Sequence, residues 1–208
     1  MVPTIIPGDK IWVNKLIFGA RIYKNLDFLE GAPLQTFRVK GWRKIKRGDV
    51  VVFNAPIQKE GKDSIAFKID YVYVKRCAGV PGDTVMIPRP ERRRGPWDSL
   101  YSANRPKYFG AVYVPKKGDT LYLNRFNRRM YYTVIAYETN GEIPLRYHVF
   151  QNNYYFMRGD NTKQSYDSRN FGFVPEEFII GVTKRIIFNN GGGQRKKFSE
   201  RRILKRLK

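Results

Sequence analysis

The feature that most constrains this chain is a turn written four times along its 208 residues. Pro7-Gly8-Asp9 opens onto Lys10-Ile11-Trp12-Val13, and Arg47-Gly48-Asp49 onto Val50-Val51-Val52-Phe53. Pro81-Gly82-Asp83 opens onto Thr84-Val85-Met86-Ile87, and Lys117-Gly118-Asp119 onto Thr120-Leu121-Tyr122-Leu123. Glycine supplies turn conformations and aspartate bonds its own neighbouring backbone. Each run that follows is short, β-branched or aromatic, and alternates with period two, which is the pattern of a strand. Two further strands are expected at Tyr71-Val72-Tyr73-Val74-Lys75-Arg76 and Tyr154-Tyr155-Phe156-Met157. The run Tyr131 to Tyr137 leads through Asn140-Gly141 to a weaker strand around Leu145 to Phe150, which predicts a hairpin. Only Pro175-Glu176-Glu177-Phe178-Ile179 reads as a turn of helix, with proline first and acids near the positive end. The fold class is therefore mostly β.

Composition narrows the function. The chain is 42% hydrophobic and 15% aromatic, enough for a packed core. Its one cysteine, Cys77, excludes an intrachain disulfide and a cysteine-based zinc site. Its one histidine, His148, excludes a multi-histidine metal site, and a Ser-His-Asp triad would have to use it. No cofactor or metal is expected. The net charge of +22 draws the chain to polyanions, either nucleic acid or an anionic membrane surface. No stretch reaches the roughly 20 apolar residues of a membrane span, and Met1 to Lys10 does not read as a secretory signal. Arg89 to Pro96 reads as a basic loop and Asn189 to Gly193 as a linker. Beyond it, Arg195 to Lys208 carries +7, leaving +15 on the rest. On a helical wheel Ile203, Leu204 and Leu207 share a face with Phe198 opposite. This tail is expected to be solvated, with an arm resting on anionic lipid as the second reading.

Two places carry chemistry. Period-two spacing puts Lys75 on the strand face of Tyr71, Tyr73 and Cys77. A lysine on such a water-poor face loses basicity, because burial disfavours its charge, and a neutral amine can serve as a general base. A lysine at a strand end also commonly snorkels to solvent. The second place is the segment Gly159 to Pro175, a dense polar loop between an aromatic strand and another apolar run. There Ser165, Asp167, Ser168 and Arg169 can form a buried hydrogen-bond cluster with one ion pair. A loop this polar, so sharply bounded, fits a site better than a connector.

These residues carry a resemblance. Met1-Val2-Pro3-Thr4-Ile5-Ile6-Pro7-Gly8-Asp9, Arg47-Gly48-Asp49-Val50-Val51, Tyr73-Val74-Lys75-Arg76-Cys77-Ala78-Gly79-Val80-Pro81-Gly82-Asp83, and Gly159-Asp160-Asn161 through Ser165, Asp167-Ser168-Arg169 and Gly172-Phe173-Val174-Pro175 stand in order. Together they closely resemble the bacterial type I signal peptidases, from Met1 to about Val182. The resemblance implies a Ser-Lys endopeptidase that cuts signal peptides from exported preproteins. In that family the nucleophilic serine sits immediately before the methionine aligned with Met1. Lys75 aligns with the general base, and Ser165 with the serine that orients it. Asp167 and Arg169 align with the ion pair that holds the last box, and Asp160 belongs to its support. Residues aligned with Met1, Ile5, Tyr73 and Val74 line small pockets for Ala-x-Ala ends. The resemblance further implies work on the outer side of the bacterial cytoplasmic membrane. One departure lies in the last box, which usually reads Gly-Asp-Asn-Arg-Asp-Asn-Ser and here reads Gly159-Asp160-Asn161-Thr162-Lys163-Gln164-Ser165. The other is that the nucleophile and a membrane anchor are expected ahead of Met1, so the chain by itself is expected to be inactive.

The architecture expected is a signal-peptidase-like β-rich catalytic core, residues 1–83 with 153–189. A smaller β subdomain, 84–152, is inserted in it, and 190–208 form a flexible basic tail. Trp12, Ile17 and Phe18 are expected either to dip into lipid or to pack on the protein. Two alternatives stand beside this reading. One is a basic nucleic-acid-binding β protein, drawn from the charge and Arg92-Arg93-Arg94, although no recognition motif is visible and no specific nucleic acid is expected. The other is a self-cleaving or pilin-maturing relative with the same fold.

Overall fold

The structure is a computed structural model that describes residues 1–24, 36–58, 65–88, 110–189 and 202–207. All four Gly-Asp turns take one form. Gly8, Gly48, Gly82 and Gly118 have φ near +90°, a region that side chains disfavour. The aspartate after each glycine accepts the amide three residues back: Ile6 to Asp9 at 2.9 Å, Lys46 to Asp49 at 2.9 Å, Val80 to Asp83 at 2.8 Å and Lys116 to Asp119 at 2.9 Å. The chain therefore leaves each turn in a fixed direction, and a strand starts there.

In chain order the elements are β1 (Asp9–Asn14), β2 (Arg21–Tyr23), β3 (Thr36–Arg38), β4 (Val50–Asn54), β5 (Ile57–Gln58), β6 (Ile65–Ala66), β7 (Val72–Gly79), β8 (Thr84–Ile87), β9 (Gly110–Tyr113) and β10 (Thr120–Tyr122). There follow α1 (Arg125–Glu138), β11 (Tyr147–Val149), β12 (Tyr154–Arg158), the short helix α2 (Ser168–Phe171), β13 (Val174–Pro175), one 3₁₀ turn (Glu176–Phe178) and β14 (Ile179–Asn189). Six strands form the main sheet in the order β1-β14-β4-β7-β12-β13, with antiparallel neighbours throughout. The other strands pair in twos: β2 with β3, β5 with β6, β8 with β9 and β10 with β11. The expected mostly β fold is observed.

Strand alternation distributes the core. On β12, Tyr155 and Met157 face a cluster with Val51, Phe53, Cys77, Phe178 and Val182. Tyr154 and Phe156 face a second cluster with Val85, Val112, Val134, Ile135 and Phe173. One strand thus serves both cores, and Val85, Val112, Val134 and Ile135, from the described part of the chain between β7 and β12, pack directly on it. Ile17 and Phe18 are buried in the first cluster, while Trp12 is 64% exposed.

Two expectations are corrected. Tyr131 to Tyr137 is not a strand but the second half of α1. The Asn124 side chain accepts from the amides of Phe126 and Asn127, and Asn127 Oδ1 accepts from the Asn124 amide, a reciprocal cap that starts the helix. Tyr131, Val134 and Ile135 then fall on one buried face at helical spacing. Asn140 and Gly141, with φ of 55° and 100°, end this helix rather than turning a hairpin, and the Gly141 amide donates to Ala136 O at 2.8 Å. A strand does form near Leu145 to Phe150, but β11 pairs with β10. The second correction concerns the tail. Arg202 and Leu207 are buried, and Arg206 bridges Arg185 of β14. Ile203 and Leu204 are exposed, so the apolar face expected on a helical wheel is not formed. The Arg92-Arg93-Arg94 run, the 190–193 glycine linker and Phe198 lie outside the described residues.

Candidate active site

Lys75 sits in the middle of β7, directly opposite Val51 of β4. Alternation places it over the ring of Tyr73, with Nζ 5.5 Å from the ring centroid. Burial lowers its pKa from the ordinary lysine value, the charge of Asp167 opposes that shift, and the charge of Arg169 adds to it. Lys75 Nζ lies 3.0 Å from Ser165 Oγ, across 90 residues of sequence. The pair joins an amine whose charge is disfavoured by burial to a neighbouring hydroxyl.

The loop that carries Ser165 is anchored from below. Asp167 is fully buried and caps α2. Its carboxylate accepts from the Gly159 amide at 2.9 Å, and from Arg169 Nε at 2.8 Å and Nη2 at 3.0 Å. The buried Ser168 hydroxyl accepts from the Met157 amide at 2.9 Å. The missing side chain of Gly159 makes room for the Ser165 hydroxyl: a Cβ there would fall 2.0 Å from Ser165 Oγ.

Asp160 joins three segments. It receives two parallel bonds from Arg76 of β7, both at 2.9 Å, and a further bond from the Thr4 hydroxyl. Burial alone would raise its carboxyl pKa, but the bonds from Arg76 and Thr4 outweigh burial and hold it below the usual carboxylate range. Through Thr4 the Met1–Asp9 turn is tied to the Ser165 loop. The pKa of the Met1 nitrogen is lowered by burial and then by the Lys75 charge, with Asp160 opposing.

Of the expected pocket residues, Met1, Ile5 and Val74 come together, packed around buried Val50, Ile186 and Leu207. Tyr73 stands on the other face of β7, against Phe53 and Phe171 at centroid distances of 6.3 and 6.1 Å. The single histidine stays out of the site: His148 Nε2 lies 2.7 Å from Glu138 Oε2, beside α1. The sequence assigns no separate role to Thr4, Arg76 or Gly159. All three stand inside the quoted boxes, but nothing in a linear motif says that Thr4 and Arg76 meet on one carboxylate.

A family model described as Signal peptidase, peptidase S26 matches residues 1–188. The chain belongs to this family. Among curated proteins it is similar to Signal peptidase I of Buchnera aphidicola subsp. Schizaphis graminum, 25% identical over 89% of this chain and 64% of that one. It is also similar to Signal peptidase I of Pseudomonas aeruginosa, 29% identical over 87% of this chain and 59% of that one. Signal peptidase I S of Bacillus subtilis is 30% identical over 89% of this chain and 76% of its own length. The chain thus spans about two thirds of the length of the first of these relatives and less of the second. Lys75, Asp160, Ser165, Asp167 and Arg169 all fall within the family match.

Proposed function

We propose that this chain is the peptidase portion of a signal peptidase, removing signal peptides from exported preproteins at a membrane surface. Lys75 is the general base, Ser165 aims it, and the nucleophile is the hydroxyl of a serine joined to the Met1 nitrogen. The observation that carries this reading is the 3.0 Å approach of Lys75 Nζ to Ser165 Oγ, with Lys75 desolvated. The bond from Thr4 to Asp160, which ties the Met1–Asp9 turn to the loop of Ser165, supports the place of the nucleophile.

The chemistry follows. The neutral amine takes the serine proton as the oxygen attacks the scissile carbonyl. The resulting ammonium then protonates the departing amine, leaving an acyl-enzyme. Water attacks the acyl group and gives its proton to Lys75, which passes it to the serine oxygen as the acyl bond breaks. Met1, Ile5 and Val74 form a small apolar surface suited to Ala-x-Ala ends, because larger side chains are excluded. Membrane work is supported by exposed Leu16, Ile22, Phe37, Val39 and Trp42, with exposed Lys15, Lys24, Lys40 and Lys44 among them.

The test compares the 208-residue chain with the same chain carrying a serine ahead of Met1. Each is incubated with a preprotein whose signal peptide ends Ala-x-Ala. The serine-extended chain should cleave it, and its Lys75→Ala variant should not. Its rate should rise with pH through a pKa below the ordinary lysine value, since the base acts only when deprotonated. Equal cleavage by the unextended chain would show that the nucleophile lies elsewhere. An inert extended chain would overturn the peptidase reading.

A further inference from the structure

The Met1–Asp9 turn brings Thr4 to Asp160, which Arg76, the neighbour of Lys75 on β7, also holds. Its own bonds are few: the Ile5 amide donates to Met1 O at 3.0 Å, and the Asp9 amide to Ile6 O at 3.1 Å. The Asp9 carboxylate gathers the turn, accepting from the Ile6 amide at 2.9 Å and from Asn189 Nδ2 at 2.7 Å. Asn189 Nδ2 also donates to Pro7 O at 3.3 Å, and a further grip comes from the far end of the chain. Arg202 Nε donates to Asp9 Oδ1 at 2.9 Å, and Nη2 reaches both Asp9 Oδ2 and, at 2.9 Å, Thr4 O. One guanidinium therefore spans both ends of the turn. The two side chains are 6% and 0% exposed, so water does not dilute the contact.

Arg202 is delivered there by strand pairing. The Ile186 amide donates to Lys205 O at 2.9 Å, Leu204 to Ile187 O at 3.1 Å, and Leu207 to Lys184 O at 2.8 Å. The segment extends the line of β4, whose pairing with β14 stops at Val50 opposite Thr183. Leu207 then packs with Val50 and Ile186 against Met1, Ile5 and Val74. The turn is thus gripped from its polar side by Arg202 and supported from its apolar side by Leu207.

We propose that Arg202 is a positioning residue: it fixes the Met1–Asp9 turn and through it the attacking atom beside Lys75. This rests on the peptidase reading above. A planar guanidinium can give a carboxylate two bonds and a carbonyl a third, which a lysine ammonium cannot do in the same fixed geometry. Small displacement of a reacting atom lowers rate steeply without abolishing binding.

The test uses the serine-extended chain and its Arg202→Gln, Arg202→Lys and Asp9→Asn/Arg202→Gln variants, assayed well below their unfolding temperatures. Arg202→Gln should lower kcat roughly 10- to 100-fold with KM little changed. Arg202→Lys should recover part of the loss, and the double variant should lose no more than Arg202→Gln alone. Amide hydrogen exchange gives an arm independent of activity: Ile5, Ile6 and Asp9 should exchange faster in Arg202→Gln, while β7 stays protected. Unchanged exchange in the turn overturns the proposal, as does faster exchange with unchanged kcat. An inactive parent chain overturns the peptidase reading instead, and exchange alone then decides whether Arg202 holds the turn.

Discussion

Gly159 shows how tightly single residues define the site. A Cβ on it would lie 2.0 Å from Ser165 Oγ, 2.6 Å from Ser165 Cβ and 3.5 Å from Lys75 Nζ. Ser165 sits on a partly exposed loop and can move aside, so Gly159→Ala should leave the fold standing while displacing the hydroxyl from Lys75. In the serine-extended chain we expect kcat to fall roughly 10- to 100-fold with the thermal midpoint close to the parent's. An unchanged kcat would mean that Ser165 does not aim the base. At this scale the sequence was legible where residues stand in ordered boxes: the resemblance they carry pairs Lys75 with Ser165, and the two side chains meet at 3.0 Å. It was silent on what holds them. Thr4 and Arg76 reach Asp160 across 156 and 84 residues, and no local pattern encodes such a meeting. The grouping of Met1, Ile5 and Val74 apart from Tyr73 follows from alternation along β7, because Val74 and Tyr73 necessarily face opposite sides.

Strands were legible because each begins with its own turn, and the turn chemistry is local. The helix α1 was not. Its Tyr131, Tyr132, Thr133, Val134 and Ile135 favour strands by propensity, and Asn140-Gly141 suits a hairpin as well as a helix end. Burial decided the matter, since only a helix places Tyr131, Val134 and Ile135 together on the core with Phe150 and Phe173. The overlooked local signal was Asn124 with Asn127, the reciprocal cap. Asn124→Ala removes the acceptor for two otherwise unpaired amides at the helix start. It should destabilise the protein by about 1 kcal/mol, lowering the thermal midpoint by about 2–4 °C in a calorimetric scan. No shift would mean that tertiary packing alone holds the first turn of α1.

At the scale of the molecule, the basic end of the chain and the exposed apolar residues take different roles from those their composition suggests. Arg202 and Leu207 are drawn into the structure by pairing with β14, a contact with a strand distant in sequence and therefore invisible to a helical wheel. Ile17 and Phe18 are buried and so pack on the protein. Ile22 and Phe37 are direct cross-strand partners, 40% and 53% exposed, and the Trp42 amide donates to Leu16 O at 3.3 Å beside them. Five exposed apolar side chains thus lie on neighbouring segments among lysines. A chain of net charge +22 will bind anionic vesicles in any orientation at low salt. Insertion of the patch adds an apolar contribution that screening does not remove. At about 1 M salt, where the Debye length is about 3 Å, the parent chain should therefore keep measurable vesicle binding in a cosedimentation assay. Phe37→Ala/Trp42→Ala should bind like the parent at low salt and detach at high salt. If both detach together, charge alone brings the protein to lipid, and the patch must be covered by something other than a bilayer.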